Sequence, residues 1–89
     1  MATTIRNMKG SRGNTIANQF IISCEDGSNI FQSYNSVIVK IKDGITYLDA
    51  NYWDYSVTTG KYRNQFLCET KKETQRKIES GEYILTNLN

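Results

Sequence analysis

Ser36-Val-Ile-Val-Lys-Ile-Lys-Asp-Gly-Ile-Thr-Tyr-Leu-Asp-Ala50 decides the fold. Val37, Val39 and Ile41 recur with the period of two that belongs to a strand with two unlike faces. Asp43-Gly44 suits a type I′ turn, because both central positions of that turn need positive φ. Folding back about it sets Val39 opposite Leu48, Ile41 opposite Thr46 and Val37 opposite Ala50. The apolar residues of both strands then share one face, and this agreement fixes the register.

The segment upstream follows the same logic. Ile16, Phe20, Ile22 and Cys24 occupy even positions, interrupted at Asn18, and Asp26-Gly27 follows. A two-residue turn there sets Ile22 opposite Phe31, Cys24 opposite Asn29 and Phe20 opposite Ser33. Asn35-Ser36 supplies a tight link to the next strand. The reverse face carries Ile21, Ile30, Tyr34, Ile38 and Tyr47 among Gln19, Gln32, Lys40 and Asp49. It is half apolar and calls for cover from the chain's own helices or loops, the alternative being a face left open for a partner.

Beyond Asn51 the periodicity changes. Ser56, Thr58 or Thr59 caps a helix that presents Tyr62 and Phe66 at i, i+4, weakened by Gly60 in its first turn. Thr70-Lys-Lys-Glu73 matches a capping box for a second helix, which Glu73 and Lys77 support as an i, i+4 pair and which Gly81 ends. Ile78 is its only large apolar residue, so that helix lies on the surface. Glu82-Tyr-Ile-Leu-Thr86 reads as an edge strand. The sequence thus predicts an α+β fold: a four-stranded antiparallel β-meander over about 15–50, two short helices over about 57–80 and a C-terminal edge strand over about 82–86. Residues 1–14 read as a basic N-terminal arm and 15–89 as a single domain.

Composition narrows the function. The chain has 89 residues and a formal charge of +2, a length at which one core is formed. Its longest apolar runs are three residues, as in Phe20-Ile21-Ile22, whereas a membrane span needs about 20. With no apolar leader in Met1 to Asn14, the protein reads as cytosolic, without a membrane partner. Arg6, Lys9 and Arg12 all precede the first carboxylate, Glu25. The near balance elsewhere counts against both a dedicated nucleic-acid binder and an acidic DNA mimic. Cys24 and Cys68 are the only cysteines and there is no His, so no finger-type zinc site is expected and both thiols read as buried and reduced.

Catalytic constellations are sparse. Without His there is no Ser-His-Asp or Cys-His nucleophile. Gly60-Lys61 fails as a phosphate loop, because no Gly lies five residues earlier and Tyr62 stands where Ser or Thr would meet magnesium. Glu69-Thr70-Lys71 with Asp49 or Asp54 resembles the acidic pair and Lys of metal-dependent nucleases. That motif belongs on a strand, however, and here it falls between helices. The expectation is therefore a protein that is not an enzyme and needs neither metal nor cofactor.

Two binding surfaces remain. Tyr52 to Leu67 holds the only Trp and a dense set of polar side chains. Trp53 and Tyr62 read as inward anchors there, with Asp54, Lys61, Arg63 and Asn64 as exposed companions suited to gripping a protein. The alternative is a single-stranded nucleic-acid surface made from Tyr34, Lys40 and Tyr47 on the outer sheet face, supplemented by Arg6, Lys9 and Arg12.

The run Tyr52-Trp53-Asp54-Tyr55-Ser56-Val57-Thr58-Thr59-Gly60-Lys61-Tyr62-Arg63-Asn64-Gln65-Phe66-Leu67, with Ser80-Gly81-Glu82-Tyr83 and Asn87-Leu88-Asn89, resembles a group of short bacteriophage- and prophage-encoded accessory proteins. The resemblance covers roughly the last forty residues well and carries no catalytic residues with it. It implies a phage protein in the host cytoplasm that binds a host protein stoichiometrically and inhibits it. An antiviral defence enzyme is the implied target, in an anti-CRISPR-like or other anti-defence role. The sequence leaves the partner and the oligomeric state open, a homodimer included.

Overall fold

The computed structural model describes residues 3–89. The elements in chain order are β1 (Thr4–Lys9), β2 (Thr15–Ser23), β3 (Asn29–Ser33), β4 (Ser36–Lys42), β5 (Ile45–Asp49), α1 (Val57–Leu67), α2 (Lys71–Ser80) and β6 (Tyr83–Thr86). The strands make one six-stranded sheet in sequence order. Neighbours are antiparallel except the last pair, because β6 runs parallel to β5. A parallel neighbour requires a crossover, and α1 with α2 provides it. The fold is α+β with a mixed sheet, wider than the four-stranded meander predicted.

The Asp43-Gly44 turn forms as read. Asp43 and Gly44 take φ of 52° and 78°, and Val39 pairs with Leu48 and Ile41 with Thr46. β5 ends at Asp49, so Ala50 does not pair with Val37, whose amide donates instead to Asn89 Oδ1 at 2.8 Å. At Asp26-Gly27 the expected register is corrected. Only Gly27 takes positive φ there, 88°. The Asp26 carboxylate accepts from the Ser28 amide at 3.0 Å and the Ser28 hydroxyl at 2.6 Å, while Gly27 N–H donates to the Cys24 carbonyl at 3.1 Å. These bonds close a three-residue loop, Glu25 to Gly27. The register slips by one, and Ile21 now opposes Phe31 while Ile22 opposes Ile30.

A one-residue slip exchanges the faces of a strand. Ile21 therefore packs against the core. A second irregularity acts in β4, where Phe31 pairs with Val39 but Gln32 pairs with Val37, leaving Ile38 as the extra residue of a bulge. Ile38 and Val39 are adjacent, yet both are fully buried. The link to β4 is Tyr34-Asn35 rather than Asn35-Ser36, because Ser33 pairs with Ser36, and Tyr34 takes the left-handed φ of 54°.

The N-terminal segment also departs from the expectation. Thr4–Lys9 is a strand rather than an arm, pairing Ile5 with Ile22 and Arg6 with Ile21. Its apolar residues Ile5 and Met8 lie three apart and so point to opposite faces. Met8 joins the core with Phe31, Ile38, Val39, Leu48 and Tyr83, while Ile5 stays 66% exposed. Burying Phe31, Ile38 or Leu48 contributes about 1.5–3 kcal/mol each. The helices close this side: Phe66 stacks on Phe31 with ring centroids 5.8 Å apart, and Thr59 meets the Ser33 hydroxyl at 3.0 Å. Gln65 Nε2 donates to the Lys9 carbonyl at 2.7 Å, tying α1 to the edge strand. The buried amide of Gln19 finds no hydrogen-bond partner among the described residues.

The opposite face carries a row of direct cross-strand neighbours, Ile5, Ile22, Ile30, Lys40, Tyr47 and Ile84. None of the six is buried. Of the residues expected to need helix cover, Ile21 and Ile38 receive it, whereas Ile30 and Tyr47 face away. No helix among the described residues is long and apolar enough to cross a membrane.

Candidate functional site

The site starts at the end of β5. Asp49 is fully buried, and its Oδ2 accepts from the amides of Asn51 and Tyr52, each at 3.0 Å. Oδ1 accepts from the Leu88 amide at 2.7 Å and Asn89 Nδ2 at 3.0 Å. Burial pushes this carboxyl up, but the donated hydrogen bonds outweigh it and hold the pKa below the ordinary value. The carboxylate turns the chain off the sheet, and Trp53 N–H completes the turn onto the Asp49 carbonyl at 3.0 Å. Trp53 then packs against the core.

Ser56 is the N-cap of α1, accepting from the Thr59 amide at 3.1 Å. Two turns on, Arg63 points back under the preceding loop and is only 1% exposed. Its Nη1 donates to the Trp53 carbonyl at 2.6 Å and lies 3.4 Å from Asp54 Oδ1, while Nη2 donates to Asn64 Oδ1 at 2.9 Å. The guanidinium carbon sits 5.2 Å from the centre of the Trp53 ring, a cation–π contact in a desolvated place. Nε has no acceptor. Asp54 Oδ2 reaches Lys71 Nζ at 2.7 Å, so one carboxylate bridges α1 and the first residue of α2. Burial pushes Asp54 up, and the two cations together hold it below the ordinary carboxylate range.

This frame walls an open cleft of about 680 Å³ lined by Asp54, Tyr55, Lys61, Arg63, Asn64 and Lys71 among others. Of the five residues read from sequence as a partner surface, Asp54, Lys61, Arg63 and Asn64 line it together. Trp53 lies beneath, against Arg63. The expectation of an exposed Arg63 is corrected, since its fork is spent on the Trp53 carbonyl, Asp54 and Asn64. Sequence reading missed Tyr55 and weighed Lys71 only as a nuclease residue. Tyr55 is exposed and packs edge-on against Tyr52, with ring centroids 5.4 Å apart. The Tyr-Trp-Asp-Tyr run was its only signal.

The carboxylates of the nuclease reading are kept apart by their own partners. Asp49 is filled by four N–H donors and Asp54 by two cations. Glu69 accepts from the Tyr83 hydroxyl and pairs with Lys77 at 3.2 Å. Lys77 thus pairs with Glu69, and not with Glu73 as the helix spacing implied, while Glu73 closes the capping box on Thr70. Among the described residues no three His, Cys, Asp or Glu side chains gather as a metal site.

The nucleic-acid set is dispersed. Lys40 and Tyr47 are cross-strand neighbours on the open face, and Tyr34 is exposed at the β3–β4 turn. Arg6 lies beside Ile21 toward the helix-bearing side, donating to Ser23 at 3.3 Å, and Lys9 donates to Thr15 at 2.9 Å. Arg12 is exposed in the β1–β2 turn. Cys24 is a half-buried free thiol, but Cys68 is exposed, against expectation, because it ends α1 in the left-handed conformation.

Fold and site together define a small α+β protein with a mixed sheet and a polar cleft built at a loop–helix junction. Residues 3–82 match the model of DUF8033, a family of unknown function, and the chain belongs to that family. No curated protein and no solved structure gives a significant match.

Proposed function

We propose that this protein is a non-enzymatic binding module that captures a protein partner stoichiometrically through the α1 cleft. The observation that carries this reading is the buried Arg63. By holding Trp53, Asp54 and Asn64 at once, it presents Tyr55, Lys61, Asn64 and Lys71 from a fixed frame instead of a loose loop. A preorganised rim of aromatic and polar groups lowers the ordering cost of association. The resemblance of Tyr52 to Leu67 to short phage-encoded proteins supports a host protein as the partner, a defence enzyme as its class, inhibition as the outcome and the host cytoplasm as the place.

The test uses variants that leave the frame intact. A Tyr55→Ala, Lys61→Ala protein, which leaves every partner of Arg63 in place, keeps the folded spectrum and melting temperature of the wild type. Partner captured from host lysate is then purified and mixed with each protein, and light scattering after gel filtration reads the stoichiometry. A defined complex with the wild type, weakened at least tenfold in the variant, supports the reading; equal affinity for both overturns it. A second reading, single-stranded nucleic-acid binding, is favoured by the Lys40–Tyr47 pair on the open face. Oligothymidylate binding lost in Lys40→Ala, Tyr47→Ala but kept in the cleft variant would replace the first.

A further inference from the structure

Next to the cleft a second groove, of about 620 Å³, follows the outer side of α2, lined by Lys71, Lys72, Gln75, Arg76 and Glu79. Lys71 lines both. Along this path lie four exposed cations, Lys61, Lys71, Lys72 and Arg76, and the buried Arg63, against two carboxylates, Asp54 and Glu79. Its net charge of three exceeds the +2 of the whole chain, the other residues summing to −1.

Both carboxylates on the path are already engaged, Asp54 by Arg63 and Lys71 and Glu79 by Gln75 Nε2. Lys61, Lys72 and Arg76 make no ion pair among the described residues. The first turn of α1, at the head of the path, carries no acidic side chain. Lys72 and Arg76 are one turn apart, a rise of about 6 Å. Alternate side chains of an extended chain are about 6.7 Å apart, so a Glu-x-Glu segment lying along α2 meets them in step.

We propose that the path from Lys61 to Arg76 is the docking surface for an acidic, extended peptide segment of the protein partner. This rests on the binding-module reading and names the partner's chemistry. A polypeptide fits better than a nucleic acid, because stacking needs open aromatic faces between the cations. Tyr55 is the one aromatic lining either groove, and its ring is packed against Tyr52.

Fluorescence anisotropy with the full chain tests this. The probe is a fluorescein-labelled Glu-Ser repeat of about twelve residues, with a Gln-Ser repeat and oligothymidylate as controls. The Glu-Ser peptide is expected to bind, weakening steeply between about 0.05 and 0.2 M salt as exposed charges are screened. The Gln-Ser peptide should not bind. Lys72→Glu, Arg76→Glu should weaken binding at least tenfold, while Lys40→Glu, Lys42→Glu on the open sheet face should change it less than twofold. No binding of the acidic peptide, an equal loss in both reversals, or tighter binding of oligothymidylate overturns the inference. A partner complex that forms while the acidic peptide does not bind sinks this inference and leaves the binding-module reading standing. Acidic-peptide binding lost in Lys72→Glu, Arg76→Glu without any stoichiometric complex does the reverse.

Discussion

The guanidinium of Arg63 stacks 5.2 Å from the Trp53 ring and donates to the Trp53 carbonyl at 2.6 Å, so the two residues are joined through both side chain and backbone. Removing the side chain strands the carbonyl and leaves Asp54 with only Lys71. Arg63→Ala is expected to cost about 1–3 kcal/mol for the stranded carbonyl, with the lost packing of a fully buried side chain added to it. That is a large share of the roughly 5–15 kcal/mol available to a domain. Arg63→Lys should recover less than half, because an ammonium cannot reproduce the fork. Urea unfolding followed by Trp fluorescence measures both.

Asp49 makes stability depend on acid. Its folded pKa lies below the ordinary value of 3.8, so its contribution is fully present above that value and is lost as the pH falls through the folded pKa. Asp49→Asn should cost about 1–3 kcal/mol at neutral pH, since an amide nitrogen would face N–H donors. It should also flatten the decline of the urea midpoint below about pH 4. An unchanged acid profile in the variant would remove Asp49 from this role.

Tyr83 acts at the alkaline end. Burial first, then the hydrogen bond to Glu69, pushes its phenol from 10.0 up to about 12. The neutral form is bound more tightly when folded, so its contribution is complete below pH 10 and disappears between there and about 12. Tyr83→Phe should abolish that part of the alkaline loss, read as the melting temperature against pH, and remove the highest step from the ultraviolet tyrosine titration.

The shifted register gives a contrast between two isoleucines. Ile38→Ala opens a cavity in a fully buried position and should cost about 2–5 kcal/mol. Ile30→Ala, on the uncovered face, should cost less than half as much. Chemical denaturation of the pair checks it; equal losses would mean that both strand faces are buried.

These expectations also mark what was legible beforehand. Asp43-Gly44 was read correctly because the turn type it encodes is decided by two backbone angles. Asp26-Gly27 was misread because the Asp26 side chain bonds Ser28, a local option that lengthens the loop by one residue and moves Ile21 and Ile22 to each other's face. The bulge at Ile38 depends on pairing geometry, and β1 was hidden because Ile5 and Met8 do not alternate. The cap Thr70 and the terminator Gly81 were visible, being local in sequence, and Ser56 was one of three candidate caps for α1. The cleft was legible as a set of residues but not as a structure, since the main acceptor of Arg63 is a backbone carbonyl that no composition reveals.

The parallel pairing of β5 with β6 is the longest closure in the sheet. The hairpins from β1 to β5 close over short loops, whereas Thr46 meets Tyr83 across the whole α1–α2 crossover, a closure that costs more chain entropy. Asp54, Arg63 and Lys71 all lie within that crossover, so the cleft exists only while β6 is docked. On the proposed binding reading, a chain with β6 detached would offer no binding surface, and a bound partner would raise the free energy needed to detach it.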